Sequence, residues 1–322
     1  MNSIFEQIEN EIKKADNILL SSHLSPDGDN LGSLLGLGFA LKEMGKNVSL
    51  LQLDEIPKYL KFLQGLEIMT DKIPSDIELY ITLDCANKGR LGKVDDLFND
   101  PNIKIINIDH HKSNEYYGDI NLVKGDYSST CEVVYELIKY SNYPLNKISL
   151  NGLYTGLCTD TGRFLYPAAD ADTLLAASEM ISSGADKRNI MYHLYENESM
   201  ESKKLRIEIL SKSEFLYDNR TVLAFVTLKQ AEKYNTTISE IDEVVNEYKN
   251  VSGVELSILL KQKDEECYKV SLRSKTYLDV SDIAASFDGG GHTFAAGCTI
   301  QGNLAEVKNK LLERLDQIEW KS

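Results

Sequence analysis

Cysteine is scarce in this chain and its spacing carries no motif: five residues in 322, none of them in a C-x-x-C pair. That pattern argues against a disulfide framework, against a zinc–thiolate site and against a thioredoxin-like redox centre, and it fits a reducing cytoplasm. Long apolar runs are missing as well. No stretch approaches the roughly 18 residues that cross a bilayer, so no membrane partner is expected. The early residues do not combine a basic end, an apolar core and a small-residue cleavage site, so secretion is not expected and the cytoplasm is the expected location. Positive charge is in deficit: 35 Lys and Arg stand against 50 Asp and Glu, a formal net charge of -15. Duplex nucleic acid binds largely through neutralised phosphates, which makes a long duplex a poor partner. A phosphate-bearing ligand should be small, or a short single strand gripped locally. Internal repeats and low-complexity tails are also absent.

The length suits two domains of ordinary size. In the first half, strand-like and helical segments alternate. A helix over 3–14 precedes strand 17–22, and the apolar spacing of 31–44 predicts a helix that Gly45 ends. Strands follow at 47–52, 78–83 and 104–108, with helices at 129–140 and 147–158. Ser129 and Glu132 have capping-box spacing. Such alternation predicts an α/β fold, a parallel sheet with helices on both faces, whose sites form beyond the strand C-termini. Residues 187–212 read as a helical linker between a catalytic domain over 1–186 and a smaller mixed α/β domain over 213–322. In that second domain we expect strands at 221–228, 254–261, 268–273 and 293–300, with helices near 238–247, 279–286 and 303–318.

Three segments hold the chemistry: His23-Leu24-Ser25-Pro26-Asp27-Gly28-Asp29, Asp109-His110-His111 and Thr159-Asp160-Thr161-Gly162, to which Asp84 after strand 78–83 adds a fourth carboxylate. His23, Asp84 and Asp109 all follow predicted strands on one side of the sheet. Mn²⁺ and Mg²⁺ take carboxylate oxygens, and Mn²⁺ also accepts imidazole nitrogen. His23, Asp27, Asp29, Asp84, His110 and Asp160 are therefore a candidate ligand set for two divalent ions. Gly28 would let a tight loop turn both flanking carboxylates inward. Water activated by the ions, not a protein side chain, is then the expected nucleophile. Taken alone, Asp27-Gly28-Asp29 reads equally as a turn or a helix cap. Three adjacent ionisable groups at 109–111 are harder to bury without ligands. Near the C-terminus, Gly289-Gly290-Gly291-His292 lets a ligand approach backbone closely, and Arg273 can grip phosphate bidentately. A flexible turn with a surface histidine is the competing reading of that loop.

The motifs resemble the DHH phosphoesterase family, named for the triplet found here at Asp109-His110-His111. His23 to Asp29 with Gly32-Ser33 looks like the family's first motif, Leu83-Asp84-Cys85-Ala86 like the second, and Thr159 to Phe164 like the fourth. The resemblance implies that His23 and Asp27 hold one ion, that Asp29, His110 and Asp160 hold another, and that Asp84 bridges them. His111 would then sit beside the substrate phosphate, as a hydrogen-bond donor or proton donor to the leaving oxygen. Asn114 would contact substrate or support the loop, and Arg163 would reach a phosphate or pair with a carboxylate. The second half resembles the accompanying DHHA1 domain, with Gly289, Gly290, Gly291, His292, Arg273 and Ser274 at substrate-binding positions. Asp288 departs from the pattern, standing where many relatives carry another glycine, and is expected to point outward.

Over nearly the whole chain the arrangement looks like the NrnA-type branch. That implies release of mononucleotides from an end of short RNA, and conversion of 3'-phosphoadenosine 5'-phosphate to AMP and phosphate, with Mn²⁺ favoured over Mg²⁺. The substrate would lie between the metal-holding domain and the second domain. Hydrolysis of cyclic di-AMP or of linear pApA is the alternative activity, and a nucleotide-binding regulator the alternative without catalysis. The outer stripe of the bridging helix would suit a homodimer. His193, Tyr192 and Tyr195 are expected to pack that bridge.

Overall fold

The computed structural model describes residues 3–241 and 244–320, and the side chain of His292 also lies outside what is described. The chain divides into two compact units, Met1–Asn197 and Glu198–Ser322. Among the described residues no helix is long and apolar enough to cross a membrane.

In the first unit, helix α1 (Ile4–Lys14) leads into strand β1 (Asn17–Ser21), α2 (Gly28–Glu43) and β2 (Asn47–Leu51). Strand β3 (Leu79–Leu83), the short α3 (Asp95–Asn99), β4 (Lys104–Asp109) and β5 (Ile120–Val123) follow. Four helices then close the unit's regular structure: α4 (Thr130–Tyr140), α5 (Lys147–Asp160), α6 (Ala171–Ser182) and α7 (Lys187–Met191), the last running into a π-helical turn at Tyr192–Glu196. The sheet order is β2-β1-β3-β4-β5, and every neighbouring pair is parallel. Strand order reverses between β1 and β3, and in open parallel sheets the crevice beyond that point is the usual place for a ligand. His23 follows β1 and Asp84 follows β3.

The strand side chains alternate between two cores, as a period of two requires. Ile18 and Leu20 join the larger core under α1, α2, α4 and α5, while Leu19 turns to the smaller one with Tyr80, Leu97 and Ile105. Among the described residues, that second face packs against α3 and irregular turns. Strand β5 was not foreseen: INLV is four residues long and alternates only weakly with its half-buried neighbours. The capping box foreseen at Ser129 is half realised. Ser129 accepts from the Glu132 N–H, but the Glu132 carboxylate takes the Ser128 N–H and hydroxyl instead.

Helix α2 is buried almost all round because it lies between the sheet and α5. The two helices approach through a seam of glycines. A Cβ on Gly32 would sit 2.4 Å from the Gly152 carbonyl oxygen and 2.8 Å from Cys131 Sγ, and one on Gly28 would sit 2.3 Å from Thr159 Oγ1. Gly28 is thus the first residue of a regular helix. It does not turn the tight loop expected from the sequence; it admits the end of α5 that carries Asp160.

The second unit holds α8 (Met200–Ser211), β6 (Glu214–Leu216), β7 (Thr221–Val226), α9 (Leu228–Lys233), α10 (Val244–Glu247), β8 (Leu256–Asp264) and β9 (Cys267–Ser274). It ends with α11 (Val280–Ala285), β10 (Gly290–His292), β11 (Ala295–Gln301) and α12 (Leu304–Leu315). Its mixed sheet runs β10-β11-β9-β8-β7-β6, parallel only at β7–β8. Leu223 and Ile258 face a core with α11 and α12, while Ala224 and Leu259 face α8, α9 and α10. The stretch 187–212 is shared out: Ile190 is in the first unit's core, Leu205 and Ile209 in the second's. The helix expected near 238–247 lies partly outside the described residues.

Replacing Gly32 by Ala should overpack the α2–α5 seam and lower the urea unfolding midpoint, at a cost of about 1–3 kcal/mol. Gly89→Ala, with only the Asn87 side-chain oxygen near at 3.5 Å, should stay within about 0.5 kcal/mol of the parent.

Candidate metal centre

Four chain segments meet beyond the carboxyl ends of β1, β3 and β4. The loop after β1 places His23, whose Nδ1 faces the Leu24 carbonyl at 2.8 Å and whose Nε2 lies 3.2 Å from Asp84 and 3.7 Å from Asp27. His110, at the end of β4, repeats that arrangement. Its Nδ1 faces the Tyr127 carbonyl at 3.3 Å, and its Nε2 lies 3.3 Å from Asp160, 3.8 Å from Asp84 and 3.9 Å from Asp29. A backbone carbonyl on one ring nitrogen fixes the ring and directs the other nitrogen inward, as metal-binding histidines require.

The carboxylates are held as firmly. Asp27 caps α2, one oxygen accepting from the Asp29 and Asn30 N–H groups, while its other oxygen faces His23. The cap and ligand readings of this residue are compatible because they use different oxygens. Asp29 is fully buried at the N-terminus of α4 and accepts from the Thr130 and Cys131 N–H groups at 2.7 and 2.8 Å, where the helix dipole favours negative charge. Asp84 has φ +53, a left-handed conformation costly for a residue with a Cβ. Its N–H donates to the Ile108 carbonyl, and its Oδ1 accepts from the Thr130 hydroxyl.

Ligand atoms from three sets lie within 4.8 Å of one another: His23 with Asp27 and Asp84, Asp29 with His110 and Asp160, and Asp84 with His110 and His111. The third set needs His111 Nδ1, which lies 2.7 Å from Asp109 Oδ1. A carboxylate already on that nitrogen favours the first two sets, with Asp84 lying between them. Sequence reading missed Asp109 in this bracing role, although it stands in the motif itself. It missed Thr130 altogether, because nothing in a helix start signals a partner 46 residues away. Asn114 donates to Asp109 and Cys85 and accepts from Asn107 and the Tyr116 N–H. Both ends of its amide are engaged by protein groups from β4, the turn after β3 and its own loop, which favours loop support, one of the two roles left open, over substrate contact.

Charge crowding shapes the site. Burial, then the charge of Asp84, pushes Asp29 well above the usual carboxylate range. The same causes raise Asp27 to about 6, although 49% of its side-chain surface is open. Burial would lower His23, but its hydrogen bond to Asp84 and the surrounding carboxylates lift it to about 9. His110 and His111 are raised against burial as well, by Asp160 and Asp109 respectively. Asp84 is held low despite burial by its hydrogen bond to His23 and by the histidine charges around it. Without a metal, these histidines take up protons to balance the acids. Divalent cations suit the same donors, two oxygens and an imidazole nitrogen in each set.

Arg163, near Asp160, has φ +64 and is exposed. It stacks over the Tyr195 ring at 3.9 Å and meets no carboxylate at ion-pair distance among the described residues. His193 packs flat on Phe62, with ring centroids 4.6 Å apart.

In the second unit, Arg273 donates to the Leu272 carbonyl, and its buried Nε meets no acceptor among the described residues. Burial, then the charges of Arg273 and Lys275, lowers Lys249, so three cations crowd there. Ser274 departs from expectation: it is fully buried and its hydroxyl donates to the Leu278 carbonyl, bracing the turn instead of facing a ligand. The glycines also divide. A Cβ on Gly289 would lie 2.4 Å from the Gly297 oxygen and one on Gly291, at φ +146, 2.5 Å from the Ala295 oxygen, so β10–β11 pairing requires both. Only Gly290 faces open space. Asp288 is exposed, with φ +55 after α11.

A parallel sheet carrying two carboxylate–imidazole sets at its switch point places a candidate divalent-cation cluster where open α/β sheets hold their active sites. Residues 17–157 match the DHH family, N-terminal domain, and residues 219–321 match the DHHA1 domain. The chain is 31% identical over 292 residues to the bifunctional oligoribonuclease and PAP phosphatase NrnA of Bacillus subtilis, covering 88% of this chain and 90% of that one. It is 30% identical over 301 residues to the protein so named in Thermus thermophilus, covering 92% and 88%. The crystal structure of an exopolyphosphatase-related protein from Bacteroides fragilis superposes with a TM-score of 0.90 at 29% identity, covering 97% of this chain and 94% of the other. The chain belongs to the DHH family of phosphoesterases, with a DHHA1 domain as its second unit.

Near neutral pH, Mn²⁺ binding should release protons, because His23 holds one up to about pH 9 in the metal-free protein. Cation affinity should therefore rise with pH, and fall further as acidification protonates Asp27 below about 6. Calorimetry in buffers of different ionisation enthalpy reads the proton count directly; a binding enthalpy independent of buffer would contradict the assignment.

Proposed function

We propose that this chain is a two-cation phosphoesterase that releases mononucleotides from an end of short oligoribonucleotides and removes the 3'-phosphate of 3'-phosphoadenosine 5'-phosphate. The position of Asp84 between two carboxylate–imidazole sets carries the reading. His23 and Asp27 would hold one cation, Asp29, His110 and Asp160 would hold the second, and Asp84 would serve both. Bound divalent cations supply an activated water and neutralise charge on the phosphoryl oxygens. An imidazole in each set favours Mn²⁺ over Mg²⁺.

His111 completes the chemistry from protein atoms. Asp109 fixes its Nδ1 side and raises its proton affinity against the effect of burial. The imidazolium is then kept to hydrogen-bond a phosphoryl oxygen or to protonate the leaving oxygen. Arg163, held face-on by Tyr195, offers its N–H edges to a substrate phosphate. In the second unit, Arg273 with the backbone at Gly290 and the residue His292 forms a phosphate grip of its own. The orphaned Nε and the crowding of Lys249 and Lys275 support that assignment. Relatives named for oligoribonuclease and PAP phosphatase activity supply the substrate class, and the net charge of -15 favours small ligands over duplexes.

The full chain, assayed with Mn²⁺, with Mg²⁺ and after chelation, should turn over short RNA and 3'-phosphoadenosine 5'-phosphate only with a divalent ion, and faster with Mn²⁺. Turnover of cyclic di-AMP or pApA alone would replace the substrate assignment, and full activity after chelation would end the two-cation mechanism. Asp84→Asn should lower kcat/KM by about 10³-fold or more with the circular dichroism spectrum unchanged. Arg273→Gln should raise KM by roughly 10- to 100-fold while Mn²⁺ binding is retained.

A further inference from the structure

We propose that Arg90 is a substrate-contacting residue of the metal-holding unit, its guanidinium taking a phosphoryl oxygen of the bound phosphoester on the His23 side of the cluster. The inference rests on the phosphoesterase reading above and extends it to a residue outside the four motifs.

Arg90 ends a single 3₁₀ turn, Lys88–Arg90, in the segment that leaves Asp84. Its carbonyl accepts from the Leu24 N–H at 2.7 Å, which ties this turn to the loop carrying His23 and Asp27. Close packing strengthens the tie. Gly92, at φ +78, leaves a Cβ no room beside Leu53 and Leu24, with contacts of 2.6 and 3.2 Å, and Leu91 is buried beneath. The backbone of Arg90 is therefore fixed between two metal-holding segments while its side chain stays exposed.

That side chain meets no carboxylate at ion-pair distance among the described residues, in a chain with fifteen more acids than bases. The backbone of Arg90 nevertheless stands beside the site, hydrogen-bonded to the residue after His23 and six positions on from Asp84. A cation placed beside a centre that itself binds cations is repelled unless an anion joins them. Guanidinium matches phosphate with two parallel N–H groups, and the phosphoester is the anion such a centre receives. Lys88, two residues earlier, lies over the Phe98 ring instead, 4.3 Å from its centroid, which leaves Arg90 as the basic group of this turn that meets no ring or carboxylate among the described residues.

The test compares the full Mn²⁺-loaded chain with Arg90→Gln, Arg90→Lys and the nearby exposed control Lys93→Gln. The readouts are kcat and KM on a short RNA, inorganic phosphate affinity by calorimetry, Mn²⁺ stoichiometry and melting temperature. Arg90→Gln should lose about 10- to 100-fold in kcat/KM, chiefly through KM, the scale of one charge-assisted hydrogen bond. Phosphate affinity should fall with it, Arg90→Lys should recover part of both, and Lys93→Gln should match the parent. Parent values for Arg90→Gln in KM and phosphate affinity would overturn the proposal. So would lost Mn²⁺ or a lowered melting temperature, which would make Arg90 structural. Should the parent chain show no turnover, the proposed function falls, and phosphate affinity alone decides the role of Arg90.

Discussion

Buried negative charge is the constraint around which the first unit is organised. Asp29 and Asp84 are almost wholly shielded from water, and Asp27 lies beside them at the rim. A carboxylate moved out of water loses several kcal/mol of solvation unless charge or hydrogen bonds compensate. The protein supplies some compensation itself, through the helix N-terminus on Asp29, the Thr130 hydroxyl on Asp84 and the two histidines facing inward. What it supplies defines positions without neutralising the group, and the donor set that results is one divalent cations would suit.

The fold is arranged to tolerate that crowding. Parallel strands β1, β3 and β4 end at one edge, so each can deliver a side chain to the same crevice without a long loop. The glycine seam brings the start of α2 and the end of α5 together, which sets Asp27, Asp29 and Asp160 around the histidines. Strain is present at the same place: of the eleven described non-glycine residues with positive φ, Ser25, Asp84 and Arg163 lie in the segments that build the site. Each is restrained by a hydrogen bond, Ser25 by the Asp54 carboxylate at 2.7 Å, Asp84 by the Ile108 carbonyl and Arg163 by the Cys158 carbonyl. Strain persists where the surroundings over-determine the backbone.

The parallel sheet was legible in the sequence because runs such as ELYITL and KIINI, separated by helical periods, admit few other arrangements. Ligand candidates were legible because an acid or histidine directly after such a run must emerge at the strand C-terminus. Roles that depend on a partner far along the chain were not. Asp109 looks like any other member of its triplet until His111 Nδ1 is seen against it, and Arg90 carries no local pattern at all. The glycines near the C-terminus taught the opposite lesson. Three in a row read as an approach for ligand, yet two of them answer to β10–β11 pairing. Sequence cannot separate backbone meeting a ligand from backbone meeting backbone.

Net charge and local charge act on different scales, which reconciles an acidic chain with an anionic substrate. Screening confines the field of exposed carboxylates to about 8–10 Å at ordinary ionic strength. On the function proposed above, cations held by the cluster and a few basic groups would dominate within that radius and hold a phosphate that arrives there. Beyond it a net charge of -15 would oppose a polyanion, so each additional nucleotide would add charge that the proposed site does not reward. On that reading affinity should depend on the ends of a substrate and little on its length, and such a centre would select short phosphoesters without needing a wall to exclude long ones.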